Sequence, residues 1–254
     1  MSGFFITGTD TGIGKTFVTC ALIYALQQRG IVAAPMKPIA AGVPTYAAGV
    51  PTSAAGMIDA YGIPMNDDVA LMMGASGHRF PLSAVNPYCF REAIAPHIAA
   101  RHENIEVDLS VIRIAYRQLS DNADVVLVEG AGGFLVPLTD CESMALIPSA
   151  LQLPVVVVVG MRLGCINHAL LTVEAIRARG LSLAGWIANS CNETMNAYEE
   201  NLSTLTRLMK APLLGELPHI HSRNTLQTLQ TLQAPRVAAT HLHTELFIPA
   251  TEQP

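Results

Sequence analysis

Apolar residues occur along this chain in short, uninterrupted runs rather than at alternating positions. The runs occupy Phe4–Thr7, Asp124–Glu129, Val155–Val159 and Leu183–Asn189, and they are rich in Val, Ile and Leu. Strands that are apolar on both faces are typical of a parallel sheet with helices on both sides. The runs therefore predict buried, parallel strands at the centre of the molecule.

Two segments between these runs carry apolar residues at helical spacing. Lys15–Arg29 stops at Gly30, and His168–Arg179 stops at Gly180. A glycine just after the last apolar position is a common helix end. Alternating strands and helices predict an α/β fold that is doubly wound, with a mostly parallel sheet and helices on both faces. Because no linker composition interrupts residues 1–254, we expect a single domain.

A tandem duplication interrupts the pattern at about residues 40–56. AAGVPTY at Ala40–Tyr46 is followed by AAGVPTS at Ala47–Ser53 and by a third AAG at Ala54–Gly56. Seven-residue units are too short for a solenoid, whose repeats run about 20–50 residues. The Ala, Gly and Pro content indicates an inserted surface loop. A second repeat, TLQTLQTLQ at Thr225–Gln233, predicts a late helix or loop and indicates no function.

The composition narrows the function classes. Half of the residues are apolar, 14% are charged and the formal net charge is −5. A mildly acidic chain without a run of Lys or Arg argues against nucleic-acid binding. The longest apolar run, Leu153–Met161, is too short to cross a bilayer, and no targeting pattern opens the chain. Five widely spaced cysteines without a C-x-x-C pair indicate reduced thiols. We therefore expect a soluble, cytoplasmic protein without a membrane partner.

The segment Gly8–Thr16, GTDTGIGKT, is a variant phosphate-binding loop. It lies between an apolar run and an amphipathic helix, a context that a chance glycine cluster lacks. The common pattern has four residues between its glycines, whereas five separate Gly8 from Gly14. Glycines let backbone N–H groups approach phosphate oxygens, and the helix start adds a positive end. We expect Lys15 to reach the β and γ phosphates and the Thr16 hydroxyl to ligate Mg²⁺.

Carboxylates at two other places are candidates to complete a magnesium site. Glu129 ends the strand DVVLVE and precedes the glycine-rich GAGG at Gly130–Gly133, where a phosphate can approach. A carboxylate at the carboxyl end of a parallel strand faces the ligand crevice of such folds. Asp68 follows Asp67 in NDDVALMM, and on spacing alone either aspartate is better interpreted as the cap of the next helix.

Eight motifs resemble the dethiobiotin synthetase family over most of the chain, through about Ile220. They are TGTDTGIGKT, MKPIAAG, VNPYCF, APHIAA, VLVEGAGGFLVPL, LPVVVVVGMRLGCINHALLT, GWIAN and APLLGELP. The resemblance implies a P-loop NTPase-like fold and a ligase that uses ATP and Mg²⁺. In that reaction CO₂ adds to one amine of 7,8-diaminononanoate, ATP phosphorylates the carbamate, and the second amine closes the ring to dethiobiotin. Cations are needed where a carbamate meets a triphosphate.

The resemblance also assigns roles to individual residues. Lys37 would hold the carbamate and the transferring phosphoryl group together with Lys15, and Thr11 would lie beside them. The Mg²⁺ ligands would be Thr16, Asp68 and Glu129, which favours Asp68 as a ligand over a cap. The nucleotide would contact Gly12, Ile13, Gly14, Lys15, Thr16, Phe17, Asp68, Glu129, Gly130, Ala131, Gly132, Asn189, Ser190, Pro218, His219 and Ile220. The tail carboxylate of the substrate would bind Gly164, Cys165, Ile166 and Asn167 of the neighbouring subunit, which implies a homodimer.

Two positions depart from the family pattern. The family commonly has serine after KP-x-A, where this chain has Ala41, or Ala55 if the duplicated AAG is the true equivalent. A hydroxyl that would contact the substrate is absent in either case, so we expect weaker substrate contacts. Ala93 stands where a proline is usual. Removal of two seven-residue units would shorten the separation of Lys37 and Asp68 from 31 to 17 positions, which is the family's usual length.

Three other functions are compatible with parts of the sequence. A partitioning-type regulatory ATPase shares the fold and the loop, but such proteins carry a lysine five residues before the loop lysine, where this chain has Asp10. An amide-forming synthetase of the corrinoid pathway usually carries a glutaminase domain, for which the chain has no room. A catalytically weak paralogue that binds only nucleotide would explain Ala41 and the insertion.

Two pairs of histidines, at 219–221 and 241–243, are interpreted as polar surface positions and not as a zinc site, because the sequence places no third metal ligand near either pair.

Overall fold

The computed structural model describes residues 2–43, 65–191, 195–219 and 233–248. The strands are β1 (Ser2–Gly8), β2 (Ala33–Met36), β3 (Ile39–Ala41), β4 (Tyr88–Phe90), β5 (Val125–Gly133), β6 (Val155–Gly160), β7 (Leu183–Asn189) and β8 (Leu213–Leu217). The helices are α1 (Lys15–Gln27), α2 (Asp67–Ala75), α3 (Leu82–Val85), α4 (Pro96–His102), α5 (Leu109–Ser120), α6 (Leu146–Leu151), α7 (Cys165–Ala178) and α8 (Tyr198–Met209). A further short helix spans Gln233–Ala238. Most of the duplicated segment, most of the TLQ repeat and Ile220 lie outside the described residues.

A six-stranded sheet forms the centre of the described structure. Its strand order is β2-β5-β1-β6-β7-β8, and every neighbouring pair is parallel. The chain starts at β1 in the middle, adds β2 and β5 on one side, and then adds β6, β7 and β8 on the other. The order therefore reverses at β1, and ligands of doubly wound folds bind beyond the carboxyl ends of the strands at such a point.

Successive residues of the central strands contribute to two different hydrophobic clusters. Phe4 and Ile6 pack in one cluster with residues of α1, whereas Phe5 packs in the other with residues of α5, α7 and α8. Side chains alternate between the faces of a strand, so an uninterrupted apolar run buries both faces. The predicted doubly wound α/β fold with helices on both faces of a mostly parallel sheet is confirmed.

The ends of the two predicted helices differ from the sequence analysis by a few residues. α1 ends at Gln27 because Gly30 adopts φ 79° and the Ile31 N–H donates to the Leu26 carbonyl, an arrangement that closes the helix early. α7 begins at Cys165, and Gly164 precedes it as the N-cap residue with φ 94°. β2 and β8 were not predicted, because neither is a long Val- and Ile-rich run. No helix within the described ranges combines the length and apolar character needed to cross a membrane.

Candidate active site

The phosphate-binding loop follows β1 at the point where the strand order reverses. Gly14 caps α1 in the left-handed region with φ 84°, and a Cβ atom there would lie 2.4 Å from Asn189 Nδ2. That amide donates to the Ile13 carbonyl at 2.7 Å. The loop is therefore tied to the end of β7, and glycine is required at position 14 both for the backbone angle and for space.

Lys37 lies between two carboxylates at the carboxyl edge of the sheet. Its Nζ is 2.6 Å from Glu129 Oε1 and 2.8 Å from Asp68 Oδ2. Lys37 directly follows β2, and Glu129 lies in the neighbouring strand β5, so the sheet topology brings them together. The side chains of Lys37 and Glu129 are 5% and 0% exposed, whereas that of Asp68 is 45% exposed. The ion pair is thus buried on one side and open to a ligand on the other.

The pKa values of the two lysines of the site are shifted in opposite directions. Burial alone would lower the pKa of Lys37, but Glu129 and Asp68 outweigh it and raise that pKa above its usual range. Burial lowers the pKa of Lys15, and the charge of Lys37 adds to the effect although Glu129 opposes it. Lys15 Nζ donates to the Asp10 carbonyl at 2.9 Å. Lys37 is consequently a permanent cation in the free protein.

Two threonine hydroxyls hold the Glu129 carboxylate from the α1 side. Thr16 Oγ1 donates to Glu129 Oε1 at 2.8 Å, and Thr19 Oγ1 donates to Oε2 at 2.7 Å. A carboxylate only accepts hydrogen bonds, so both hydroxyls must be the donors. Sequence reasoning identified Thr16 and missed Thr19. The sequence signal that could have identified Thr19 is its position three residues after Thr16, because residues three apart on a helix share one face.

Asp68 is not the helix cap that its spacing alone suggested, and neither is Asp67. Asn66 caps α2, because its Oδ1 accepts a hydrogen bond from the Asp68 N–H at 3.1 Å. The Asp68 carboxylate instead pairs with Lys37. Burial would raise the pKa of Asp68, but Lys37 overrides burial and holds that pKa below its ordinary value. The interpretation of either aspartate as a cap was wrong because the preceding asparagine performs that role.

The oxygen atoms of the site have the chemistry that Mg²⁺ requires. The Thr16 hydroxyl and the Asp68 carboxylate both contact the Lys37–Glu129 group, and hard oxygen ligands of this kind suit Mg²⁺ with several retained waters. Among the described residues, no group of three or more His, Cys, Asp or Glu side chains could hold a metal ion. The donor set therefore fits Mg²⁺ through two carboxylates and one hydroxyl, and it doesn't resemble a zinc site.

A cavity of about 720 Å³ opens beside these groups. Its remaining wall is mostly apolar and comes from α2, from the start of α4 and the segment before it, and from Val136 after β5. The sequence-predicted residues that line it are Thr11, Gly12, Gly14, Lys15, Thr16, Phe17, Lys37, Ala41, Asp68, Glu129, Ala131 and Gly132. The wall residues that were not predicted are Leu71, Ala93, Ile94, Ala95, Pro96 and Val136.

Other predicted residues lie outside this cavity. Ile13 is 1% exposed and packs inside the loop, and Gly130 packs against Phe5, so neither lines the cavity. Ser190 donates from its N–H to the Leu217 carbonyl at 2.9 Å, which keeps the ends of β7 and β8 together. The predicted adenine-side residues are Asn189, Ser190, Pro218 and His219, and the last two follow β8. The predicted tail-binding residues, Gly164, Cys165, Ile166 and Asn167, begin α7 away from the cavity.

Asp10 occupies the loop position that distinguishes the partitioning-type ATPases. Its carboxylate forms an ion pair with Arg162, which lies just before α7. Its backbone carbonyl accepts the hydrogen bond from Lys15. A lysine at position 10 would place two cations together, so this chain's loop is built for a different arrangement.

Comparisons with known proteins identify the family of this chain. A family model described as an AAA domain matches residues 2–225. The chain is 48% identical over 231 residues to the ATP-dependent dethiobiotin synthetase BioD of Aromatoleum aromaticum, covering 91% of this chain and 96% of that protein. It is 45% identical over 235 residues to the protein of the same name from Nitrosospira multiformis, covering 92% and 96%.

Among solved structures, the fold is similar to that of the MinC:MinD cell division protein complex of Aquifex aeolicus. The TM-score is 0.50 at 13% sequence identity, with 94% of this chain and 92% of that chain covered. A likeness at this identity shows the P-loop NTPase-like fold and nothing about activity. The curated relatives, in contrast, match at high identity over nearly their whole length, and the chain belongs to the dethiobiotin synthetase family.

Proposed function

We propose that this chain is an ATP-dependent dethiobiotin synthetase. It would carboxylate one amine of 7,8-diaminononanoate with CO₂, phosphorylate the carbamate with ATP, and close the ring by attack of the second amine on the mixed anhydride, with release of ADP and phosphate. The observation that carries the proposal is the single cavity into which Lys15, Thr16, Lys37, Asp68 and Glu129 converge.

The two lysines and Thr11 are the proposed catalytic residues. Lys15 lies at the start of α1, where backbone N–H groups and the helix dipole attract phosphates. Lys37 faces the same cavity from the end of β2, on the side where Ala41 would contact the substrate. A carbamate oxygen and the γ phosphate both carry negative charge, so a cation between them stabilises the transfer. Thr11 lines the cavity from the loop and would orient the transferring group.

Thr16, Asp68 and Glu129 are the proposed Mg²⁺ ligands. When bound, Mg²⁺ neutralises phosphate charge during transfer. The chain's own contribution is to keep the three oxygen ligands on one side of the cavity. In the free protein Lys37 pairs with both carboxylates, which holds Asp68 and Glu129 close together on that side of the cavity.

The remaining assignments concern the partners. Asn189, Ser190, Pro218, His219 and Ile220 would bind the adenine side, and the start of α7 would receive the tail carboxylate of a substrate bound by the neighbouring subunit. This arrangement requires a homodimer. We further propose that the protein acts in the cytoplasm on small molecules, and not on nucleic acid or membranes.

The test is diamine-dependent release of ADP. The purified protein is incubated with ATP, Mg²⁺ and bicarbonate, with and without 7,8-diaminononanoate, and the product is identified by mass. Lys37→Met should lower kcat by about 10²–10³-fold, the usual loss when a group that stabilises transition-state charge is removed. Lys210→Met is the matched control, because Lys210 is an exposed lysine after α8. ADP release indifferent to the diamine would indicate a regulatory ATPase, and nucleotide binding without turnover would indicate a degenerate paralogue.

A further inference from the structure

Asn66 makes hydrogen bonds on both sides of the stretch between Gly42 and Asn66, which contains most of the duplication. Its Nδ2 donates to the Ala41 carbonyl and to the Gly42 carbonyl, both at 3.0 Å. Its Oδ1 accepts from the Asp68 N–H at 3.1 Å. Both amide hydrogens therefore have carbonyl partners, and the carbonyl oxygen faces an N–H group, so the chemistry of the partners fixes the orientation of the amide. Asn66 is only 7% exposed.

These contacts join the two halves of the proposed site. Ala41 lies at the end of β3 and lines the cavity, and Lys37 lies just before β3. Asp68 lies in the first turn of α2. Among the described residues, the Asn66 amide therefore joins the end of β3 to the start of α2 in addition to the Lys37–Asp68 ion pair.

We infer that Asn66 is a positioning residue that makes the geometry of Lys37, Ala41 and Asp68 independent of the number of residues between Gly42 and Asn66. The inference rests on the proposed function for its kinetic readout, and on the proposed Mg²⁺-ligand role of Asp68 for its binding readout. It explains why a seven-residue tandem duplication can be accommodated at this place. The entropic cost of closing a longer loop is small, since each doubling of loop length costs only about 0.6 kcal/mol.

Two substitutions separate the positioning role from the capping role. Serine and aspartate are both good N-cap residues, so Asn66→Ser and Asn66→Asp keep the acceptor for the Asp68 N–H but lose the amide donors. We expect each variant to lower kcat/KM for the diamine by about 10–100-fold, because small misplacements of reacting groups have effects of this size. KM for the diamine and the Mg²⁺ concentration for half-maximal rate should rise, whereas a smaller folded fraction would lower kcat alone. Agreement between the neutral and the charged replacement excludes an effect of added charge.

A deletion tests independence from loop length. Removal of residues 47–53, one duplicated unit, should leave kcat/KM within about twofold of wild type, given the small loop-closure term. Wild-type kinetics in both Asn66 variants would overturn the inference, and so would a deletion that changes kcat/KM more than fivefold.

Binding of Mg·ADP by calorimetry gives a readout that doesn't depend on turnover. The Asn66 variants should bind Mg·ADP more weakly because Asp68 is displaced, and unchanged affinity would contradict the inference. If the wild-type protein binds Mg·ADP but makes no dethiobiotin, the proposed function fails while this measurement still decides the role of Asn66.

Discussion

Thr19 provides a test of how the Glu129 carboxylate is held. Its hydroxyl donates to Glu129 Oε2 at 2.7 Å, and both residues are fully buried. Thr19→Val replaces the hydroxyl with a methyl group of similar size and removes its contact with Glu129 together with the weaker contact to the Lys15 carbonyl, which lies 3.0 Å from Thr19 Oγ1. Glu129 Oε2 then loses a charge-assisted hydrogen bond on the α1 side, where Thr19 is fully buried.

The size of the effect follows from the burial of this contact. A hydrogen bond to a charged group contributes about 1.5–3 kcal/mol, so Thr19→Val should destabilise the protein by about 2 kcal/mol. For a chain of this length the thermal midpoint should fall by about 4–8 °C. Loss of a partner that orients a metal ligand commonly lowers metal affinity about 10–100-fold. The Mg²⁺ concentration for half-maximal rate should therefore rise at least about tenfold.

Thr19→Ser is the matched control. It keeps the hydroxyl and removes a buried methyl group, which costs about 1 kcal/mol. We expect a lower thermal midpoint with unchanged Mg²⁺ dependence. Differential scanning fluorimetry and Mg²⁺ titrations of the steady-state rate measure both effects. The reasoning is refuted if Thr19→Val keeps the wild-type Mg²⁺ dependence, or if Thr19→Ser loses it equally.

Three further predictions concern other groups of the site. Ala41→Ser should lower KM for the diamine by about threefold to tenfold through a new hydrogen bond, and an unaltered KM would remove the idea that the missing hydroxyl weakens substrate contacts. In urea unfolding of the nucleotide-free protein, Gly14→Ala should be less stable than Gly12→Ala by about 1–3 kcal/mol. Both glycines have positive φ, but only a Cβ at position 14 would meet another side chain, so equal stabilities would contradict this reasoning. The pKa of Asp68 is lowered in the folded state, so its ion pair stabilises the fold above the ordinary pKa of 3.8 and is lost as pH falls below that value. The thermal midpoint should therefore fall less steeply in Asp68→Asn than in wild type between about pH 5 and pH 3, and identical slopes would count against the ion pair.

The parts of the molecule that the sequence could predict are those encoded locally. Val155–Val159 predicted β6 because its residues bury both faces of a strand, and Lys15 and Thr16 could be assigned because a phosphate loop is a contiguous motif. β2 was missed because Ala33–Met36 has no β-branched residue. The meeting of Lys37 with Glu129 could be reached only through the family resemblance, since the two residues are 92 positions apart and strand order isn't written in any local pattern.

Asn66 and Thr19 were missed for a different reason. An asparagine before two aspartates has the same capping signal as its neighbours, and only the fold shows which residue caps. A threonine on the buried face of α1 is indistinguishable in sequence from a core residue. Asn66 acts through hydrogen bonds to backbone atoms and Thr19 through a hydrogen bond to a side chain, and such roles depend on which elements become neighbours in the fold.

Because Lys37 is already paired with two carboxylates, an ion that binds to any of these groups must first displace part of the ion pair. Lys37 is paired with both Asp68 and Glu129 in the free protein, and Lys15 lines the same cavity. A divalent cation that takes the carboxylates would release an ammonium group for the incoming anion. Metal and nucleotide would then bind with positive cooperativity. Either ligand alone must break an existing ion pair, whereas the two together pair with both of the groups that are released. A protein of this design would have little affinity for ATP in the presence of a chelator.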